Sequence, residues 1–318
     1  MNDQDGRVVL FGGTGFVGSR VAAELAQDPG RRIVVVPRST ADLSDRSSLE
    51  RTIRPGDVVV NAAGYAAATD RSADGLQRFR TVNVEGVRIL AEASIARGAR
   101  QLVHVSSVAA MGRLSGGPHD ETATGPLMSP YAWSKRAAEA ALAELRDELA
   151  VTVIRPTSVF GEGRGLAATL CRFVTLPVVV LPGGGASLIP FTYVQNVAQA
   201  VALAIGRETC YGRTFIVGDE HSYELREVIA ALAAALGVRP RTVAAPSAVL
   251  VAGANLLERI ARRRGVPPLL DASRVLTLTT SVSYSIGAFV AASGYRPRVG
   301  LADATERIAR WYAGERVR

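Results

Sequence analysis

Lysine is almost absent from this chain. Of its 37 basic side chains, all but Lys135 are arginine. Arginine replaces lysine as a solvated charge, but not where chemistry needs a compact ammonium group with an adjustable pKa. A general preference for arginine explains the other positions and leaves this one unexplained. Lys135 follows Tyr131 by four positions, and the pair is therefore a candidate for acid–base chemistry.

Cysteine and histidine are also scarce. Cys171 and Cys210 are the two cysteines, which excludes a disulfide framework and a cysteine-rich metal site. This use of cysteine fits a reducing cytoplasm. The three histidines, His104, His119 and His221, are not spaced as metal ligands. We expect structural or surface roles for them and no bound metal.

Long hydrophobic runs are missing too. The longest, residues 243–257, is interrupted by Pro246, Gly253 and Asn255 and falls short of the ~18 uninterrupted residues that a membrane span needs. Residues 1–7 are polar and lead directly into an apolar strand, so no signal peptide is predicted. The composition, 48% hydrophobic and 21% charged, is that of a globular protein. We expect a cytoplasmic location.

The formal net charge of +8 raises nucleic acid as a partner. The arginines are scattered, however, and no aromatic side chains are interleaved with them, so we do not expect nucleic acid to bind. The densest group, Arg259 with residues 262–264, is predicted to be a solvated helix end. Because this group follows an apolar segment, a helix lying on a membrane surface is the alternative interpretation.

Short valine-rich runs alternate with longer helical ones in the first half of the chain. The predicted buried strands are 8–11, 33–36, 58–61, 102–106 and 151–155, and the predicted helices are 18–27, 76–97 and 130–149. This alternation predicts an α/β fold with a doubly wound parallel sheet. Only a few residues separate the second strand from Asp42, so a helix and a strand usually found there are predicted to be missing.

The pattern changes after residue 160, where proline and glycine become frequent and helical stretches dominate. We predict a dinucleotide-binding domain over residues 1–165, with residues 191–218 returning to it. Residues 166–190 and 219–318 are predicted to form a smaller, mostly helical substrate-binding lobe.

A glycine-rich turn follows the first strand. Gly12, Gly15 and Gly18 stand between the strand 8–11 and the first predicted helix. The first allows a tight turn, the second lets backbone approach a pyrophosphate, and the third lets the helix pack on the sheet. Free amides at the start of that helix would face an anion. In this position the glycine triad predicts a dinucleotide-binding turn.

Further motifs accompany the turn. They are, in chain order, Asn61-Ala62-Ala63-Gly64, Asn83-Val84-Glu85-Gly86, Ser106-Ser107, Tyr131-x-x-x-Lys135, Arg155-Pro156-Thr157-Ser158-Val159-Phe160-Gly161, Phe191-x-x-Val194-x-Asn196-Val197-Ala198 and Gly294-Tyr295-Arg296-Pro297. Together they span nearly the whole chain and resemble the extended branch of the short-chain dehydrogenase/reductase superfamily, a branch of NAD-dependent epimerases and dehydratases. The resemblance implies a Rossmann-type fold, an NAD(P) cofactor, oxidoreductase chemistry on a small molecule and, by analogy, a homodimer.

The predicted helix 130–149 carries the proposed chemistry. Ser129 before Pro130 is a good helix start, and it places Tyr131 and Lys135 on one helix face. The resemblance implies that Tyr131 exchanges a proton with the substrate oxygen, while Lys135 lowers the pKa of the phenol and holds the nicotinamide ribose. The family's Ser-x-x-x-x-Gly pattern selects Ser107, whose hydroxyl would polarise the substrate carbonyl.

The resemblance also implies a cofactor site. Its residues are Gly12, Thr14, Gly15, Phe16, Val17, Gly18, Arg38, Asp42, Leu43, Ala62, Ala63, Gly64, Asn83, Ser106, Tyr131, Lys135, Pro156, Thr157 and Val159. No acidic residue follows the second strand, whereas Arg38 is well placed for a 2′-phosphate, so NADP is expected and NAD is the alternative. Asp42-Leu43 resembles the family's adenine-contacting pair.

Departures from the family pattern limit the reactions and substrates that we expect. Val108-Ala109 replaces the Asp-Glu of the branch's dehydratases, which disfavours dehydration. The family's enzymes for nucleotide sugars carry an arginine that binds the diphosphate, and its nearest equivalent here is Ile189. Their asparagine in the Arg-Pro segment is Ser158 here. Both differences disfavour a nucleotide-sugar substrate. The apolar runs 176–181, 249–257 and 267–270 favour an apolar substrate.

We therefore predict an NAD(P)-dependent ketone reductase or alcohol dehydrogenase acting on a small, largely apolar or glycosyl-like secondary alcohol or ketone. The alternatives are an NAD(P)-dependent sugar epimerase and a non-catalytic NADP-sensing protein.

Overall fold

The computed structural model describes residues 7–67, 70–163, 165–263 and 278–316. Its strands are β1 (Val8–Phe11), β2 (Ile33–Val36), β3 (Val58–Asn61), β4 (Gln101–Val105), β5 (Gly116–His119), β6 (Ala150–Pro156), β7 (Ser158–Phe160), β8 (Val178–Pro182), β9 (Leu188–Ile189), β10 (Phe191–Tyr193), β11 (Thr214–Val217), β12 (Tyr223–Glu224), β13 (Arg241–Ala245) and β14 (Val282–Tyr284). Its α-helices are α1 (Phe16–Leu25), α2 (Arg46–Thr52), α3 (Ala73–Arg78), α4 (Gly86–Ala96), α5 (Pro130–Ala143), α6 (Leu166–Val174), α7 (Val194–Ala204), α8 (Leu225–Ala235), α9 (Ser247–Arg263), α10 (Gly287–Ser293) and α11 (Leu301–Arg316).

Six parallel strands form the central sheet, in the order β11-β6-β4-β3-β1-β2. Successive side chains of each strand point to opposite faces, and both faces are covered by helices. In β1, Val8 and Leu10 join the apolar cluster formed with α1, α7 and α10, whereas Val9 and Phe11 join the cluster formed with α2, α4 and α5. Burial on both sides explains the valine-rich strands, and the predicted doubly wound α/β fold is confirmed.

The edge of the sheet at β2 is shorter than a complete doubly wound unit. Residues 37–45 contain neither a helix nor a strand, as predicted. The chain then forms α2, which the sequence analysis did not predict. Its N-cap is Asp45, whose side chain accepts a hydrogen bond from the Ser48 amide.

The predicted helix 76–97 is one helical segment with a defect in the middle. A π-helical stretch, Phe79–Glu85, separates α3 from α4. Such stretches often mark functional positions. This stretch contains Asn83, whose side chain contacts the backbone of Tyr65 in the 61–65 loop.

A second apolar cluster lies outside the central sheet. It is built mainly from α6, β8, β10, α8 and α11 and includes the fully buried ring of Tyr193. Val179, Leu181 and Ile189 belong to this core, so part of the apolar character of the second half serves packing. Among the described residues, no helix is long and apolar enough to cross a membrane. The predicted run 267–270 lies outside the described residues.

Candidate active site

The glycine turn between β1 and α1 leaves no room for side chains. Gly12 has φ +76°, and a Cβ added there would lie 2.3 Å from the Ala63 nitrogen. A Cβ on Gly18 would lie 2.1 Å from the Gly12 carbonyl oxygen. Gly15 is the N-cap residue of α1, and no side chain caps this helix end. The turn therefore exposes backbone amides at a helix N-terminus, an arrangement that fits a pyrophosphate.

A cavity of about 430 Å³ lies beside this turn. It brings together nine of the predicted cofactor residues: Gly12, Thr14, Gly15, Arg38, Asp42, Leu43, Ala62, Ala63 and Gly64. It is also lined by residues that the sequence analysis missed: Phe11, Val36, Ala41, Ser44, Thr81 and Val82. The cavity is thus formed by the carboxyl ends of β1, β2 and β3, where ligands bind in open α/β sheets.

Arg38 and Asp42 form one rim of the cavity. The Arg38 Nε donates to Asp42 Oδ2 at 2.6 Å, and 82% of the Arg38 side chain is exposed. Hydrogen bonds from the Ser44 amide, the Arg38 guanidinium and the Ser44 hydroxyl lower the pKa of Asp42 to about 2. The contact uses the Nε of Arg38, and the fork geometry of a guanidinium provides four further N–H donors.

Asn83 connects the loop after β3 to α5. Its side-chain oxygen accepts from the Tyr65 amide at 2.7 Å, and its Nδ2 donates to the Tyr65 carbonyl and to Ser134 Oγ. Both ends of the amide are therefore used inside the protein. Asn83 therefore holds the 61–65 loop in place, and its contact with the cofactor stays a prediction.

The remaining predicted cofactor residues do not line this cavity. Phe16 is 39% exposed, and Val17 packs against the main core. Pro156 ends β6 and Val159 is the middle residue of β7. Thr157 is buried, and its hydroxyl has no hydrogen-bond partner within the described residues. The roles of these residues, and of Gly18, as cofactor contacts stay predictions.

Helix α5 begins as the sequence predicts. Ser129 Oγ accepts from the Ala132 amide at 3.1 Å, and Pro130 occupies the first turn. Lys135 is buried, and its Nζ donates to the Val105 carbonyl at the end of β4, at 2.9 Å. A Cβ on Gly64 would lie 3.6 Å from this Nζ, so the ammonium group lies next to the 61–65 loop. Burial lowers the pKa of Lys135 to about 8, and the charge of Glu139 opposes that shift.

Tyr131 and Ser107 meet at the start of this helix. Burial raises the pKa of Tyr131 above its ordinary value, and a hydrogen bond with Ser107 opposes the shift. The net shift is upward, and the expected lowering of the phenol's pKa by the Lys135 ammonium stays a prediction. The physical reason for the upward shift is that burial penalises the phenolate more than the hydrogen bond with Ser107 favours it. Ser107 Oγ also accepts from the Ala109 amide at 3.1 Å, which leaves its proton to donate.

A buried ion pair stands behind these residues. Arg155 donates to both carboxylate oxygens of Glu139, with a closest contact of 2.7 Å. The hydroxyl of Ser106 also donates to Glu139, and the role of Ser106 as a cofactor contact stays a prediction. Glu139 was missed by the sequence analysis, although it follows Lys135 by four residues and therefore lies on the same helix face.

Comparison with known proteins identifies the family. The family model described as "NAD dependent epimerase/dehydratase family" matches residues 8–218. The chain belongs to this family. It is an extended short-chain dehydrogenase/reductase and an NAD(P)-dependent enzyme, as the sequence motifs predicted.

Relatives within the family carry different activities. The chain is 28% identical to ceramide reductase from Caulobacter vibrioides, over 98% of this chain and 95% of that protein. It is 32% identical to dTDP-4-dehydrorhamnose reductase from Mycobacterium tuberculosis, over 67% of this chain and 70% of that protein. A solved structure of UDP-glucose 4-epimerase from Thermus thermophilus in complex with NAD aligns with a TM-score of 0.72 and 26% identity, covering 97% of this chain and 99% of that one.

In this epimerase/dehydratase chain, His104 is a structural residue. It is completely buried in β4, and its Nδ1 is 3.2 Å from Asn61 Nδ2. Burial, reinforced by the charge of Lys135, holds the pKa of His104 well below its usual value, so the ring is neutral. Among the described residues, no group of histidine, cysteine or acidic side chains could hold a metal ion.

Proposed function

We propose that this protein is an NAD(P)-dependent ketone reductase that acts on a small, largely apolar carbonyl compound and also runs as an alcohol dehydrogenase. The observation that carries the proposal is the convergence of Ser107 and Tyr131 at the carboxyl end of β4, with Lys135 buried one helical turn further along α5. A bound nicotinamide cofactor supplies or accepts the hydride.

The proton chemistry of the three residues favours reduction. A raised pKa keeps Tyr131 protonated at neutral pH, so its phenol is a proton donor for a carbonyl oxygen. The Ser107 hydroxyl accepts from the Ala109 amide, and its proton is able to turn from Tyr131 to the same substrate oxygen and polarise it. When Tyr131 gives up its proton, the Lys135 ammonium favours the resulting phenolate.

The surroundings of Ser107 disfavour dehydration. Ser107 caps the short helix Val108–Met111, whose side chains carry no carboxyl group. No acid at these positions can expel water from a substrate. The short helix is itself apolar, which supports an apolar substrate next to Ser107.

A nucleotide sugar is the less favoured substrate class. Ile189 is the nearest equivalent of the arginine with which other family members bind a diphosphate. It is buried in the second apolar cluster. It therefore offers no charge for a diphosphate. The similarity to ceramide reductase, a protein named for a lipid, supports the apolar class.

Similarity to UDP-glucose 4-epimerase keeps epimerisation as the second candidate. The purified protein, given NADPH and a panel of ketones of increasing alkyl length, should consume NADPH with net production of alcohol. In a separate assay with NADP⁺ or NAD⁺ and a panel of nucleotide sugars, interconversion of sugars without net formation of NADPH or NADH would favour the epimerase, which oxidises the sugar first and then returns the hydride. Tight NADPH binding without any turnover on either panel would instead indicate a sensor and would overturn the proposal.

We further propose that NADP is the preferred cofactor. Arg38 should contact the 2′-phosphate, so Arg38→Ser should weaken NADPH binding by about ten- to a hundredfold, since a hydrogen bond to a charged group contributes roughly 1.5–3 kcal/mol. NADH binding should change little. Fluorescence titration with both dinucleotides measures the two affinities. Arg46→Ser is the matched control, because Arg46 is also exposed and paired with a carboxylate four residues away but lies outside the cavity. Equal losses for NADPH and NADH would contradict the assignment.

A further inference from the structure

Helix α9 carries an apolar stripe on its exposed side. Val249 and Leu256 are 63% and 59% exposed, and Ala252 and Gly253 between them are exposed as well. Positions separated by three, four and seven residues lie on one face of a helix. Ala254, on another face, is fully buried, so the helix is seated on the protein while the stripe faces outward.

A second apolar surface precedes α9 in the chain. Strands β8 and β13 pair in parallel, with Val180 opposite Val243 and Val178 opposite Arg241. Paired residues of a ladder share one sheet face, and on this face Val178, Val180 and Val243 are all exposed. The other face holds the buried Val179 and Leu181. Because β13 ends at Ala245 and α9 starts at Ser247, the two apolar surfaces lie one after the other along the chain.

The segment that contains β13 and α9 is strongly basic. Residues 239–263 contain five arginines and a single acid, Glu258. Arg239, Arg241 and Arg259 are exposed. Arg241 shares the exposed sheet face with the valines, and Arg259 continues the α9 stripe three residues beyond Leu256. Exposed apolar side chains flanked by arginine, with almost no acid, complement an apolar surface that bears negative charge.

A membrane surface with anionic headgroups has both properties. A nucleic acid would leave the apolar stripe uncovered. A second copy of this chain, meeting through the same face about a two-fold axis, would place the arginine-rich segments of both copies together, where their charges repel.

We propose that the segment formed by β8, β13 and α9 is a docking surface for anionic lipid membranes. The protein then lies on the bilayer with the α9 stripe in the headgroup region.

The proposal goes beyond the proposed function and is tested without substrate or cofactor. The full-length protein is sedimented with vesicles of phosphatidylcholine alone and of phosphatidylcholine with about one third phosphatidylglycerol. We expect binding to the anionic vesicles, weaker binding to the neutral ones and a decrease as salt is added. Val249→Glu/Leu256→Glu should reduce binding to anionic vesicles at least about tenfold.

Matched variants separate docking from general effects. Leu76→Glu/Val290→Glu replaces two other exposed apolar residues and should leave binding unchanged. Arg241→Gln/Arg259→Gln should weaken binding to anionic but not neutral vesicles, whereas Arg51→Gln/Arg54→Gln, at exposed arginines outside the segment, should have no effect. Thermal unfolding of each variant shows whether it is folded.

Three results would overturn the proposal. The first is no binding of the unaltered protein to anionic vesicles. The second is an equal loss of binding in the control variants. The third is a dimer that Val249→Glu/Leu256→Glu converts to monomer while vesicles bind neither form, which would make this face an interface between copies.

Discussion

Tyr131→Phe is expected to reduce ketone turnover by about 10²- to 10⁴-fold, the usual contribution of a positioned acid–base group. The change removes the phenol oxygen that meets Ser107 and leaves the ring. The ring of Tyr131 packs 6.2 Å from that of Phe79, so the substituted ring keeps its neighbours and the fold is maintained. NADPH affinity should stay within about threefold, because only one polar contact is lost. Steady-state rates and dinucleotide titration measure the two effects separately.

The control for this prediction is a tyrosine away from the site. Tyr211→Phe, next to the short helix Glu208–Cys210, should leave the rate unchanged. If Tyr131→Phe retained full turnover, the phenol would not be the proton donor, and the catalytic assignment of α5 would fail. A parallel loss of turnover and of NADPH binding would point to a structural role for the hydroxyl instead.

Gly12→Ala is expected to lower dinucleotide affinity at least about tenfold and to destabilise the fold. The added methyl group would approach the backbone of Ala62 and Ala63 to within 2.3–2.6 Å, so one wall of the cavity has to move. The residue would also keep φ +76°, a left-handed conformation that costs an alanine about 1–2 kcal/mol. NADPH titration and thermal unfolding report the two consequences.

Gly56→Ala separates the two causes. Gly56 has nearly the same backbone conformation, φ +79°, but nothing lies within 4 Å of an added Cβ. This variant should lose about 1–2 kcal/mol of stability from the left-handed conformation and bind NADPH normally. Should both variants bind NADPH equally well, the close contact between Gly12 and the 61–65 loop would have no part in shaping the dinucleotide site.

Whether a feature of the site could be predicted depended on how far apart the interacting residues are in the chain. The cap at Ser129, the spacing of Tyr131 and Lys135 and the glycine turn each involve neighbours within a few residues, and the sequence motifs placed them correctly on α5 and after β1. Glu139 was missed because its partners lie in other elements: Ser106 directly follows β4, and Arg155 lies in β6. The spacing of residues in the sequence shows which of them share a helix face. It does not show which strands that face packs against.

The roles of polar side chains depended on packing in the same way. Asn83 stands in a family-like motif, yet the amide is used to hold Tyr65 and Ser134, which lie 18 and 51 residues away in the chain. The pKa of Tyr131 moves upward because burial of its phenol penalises the charged form, whereas an exposed pair of phenol and ammonium would move it downward.

The sequence by itself determined the parallel sheet, the dinucleotide turn and the membership of the epimerase/dehydratase family. Valine-rich strands that alternate with helices, the glycine spacing and the short motifs all depend on residues that are close together in the chain. Only the tertiary structure decided which side chains are buried and which distant groups they meet. Burial and those long-range contacts shift the pKa values of Tyr131 and Lys135, pair Glu139 with Arg155, and leave the valines of β8 and β13 and the stripe of α9 facing outward.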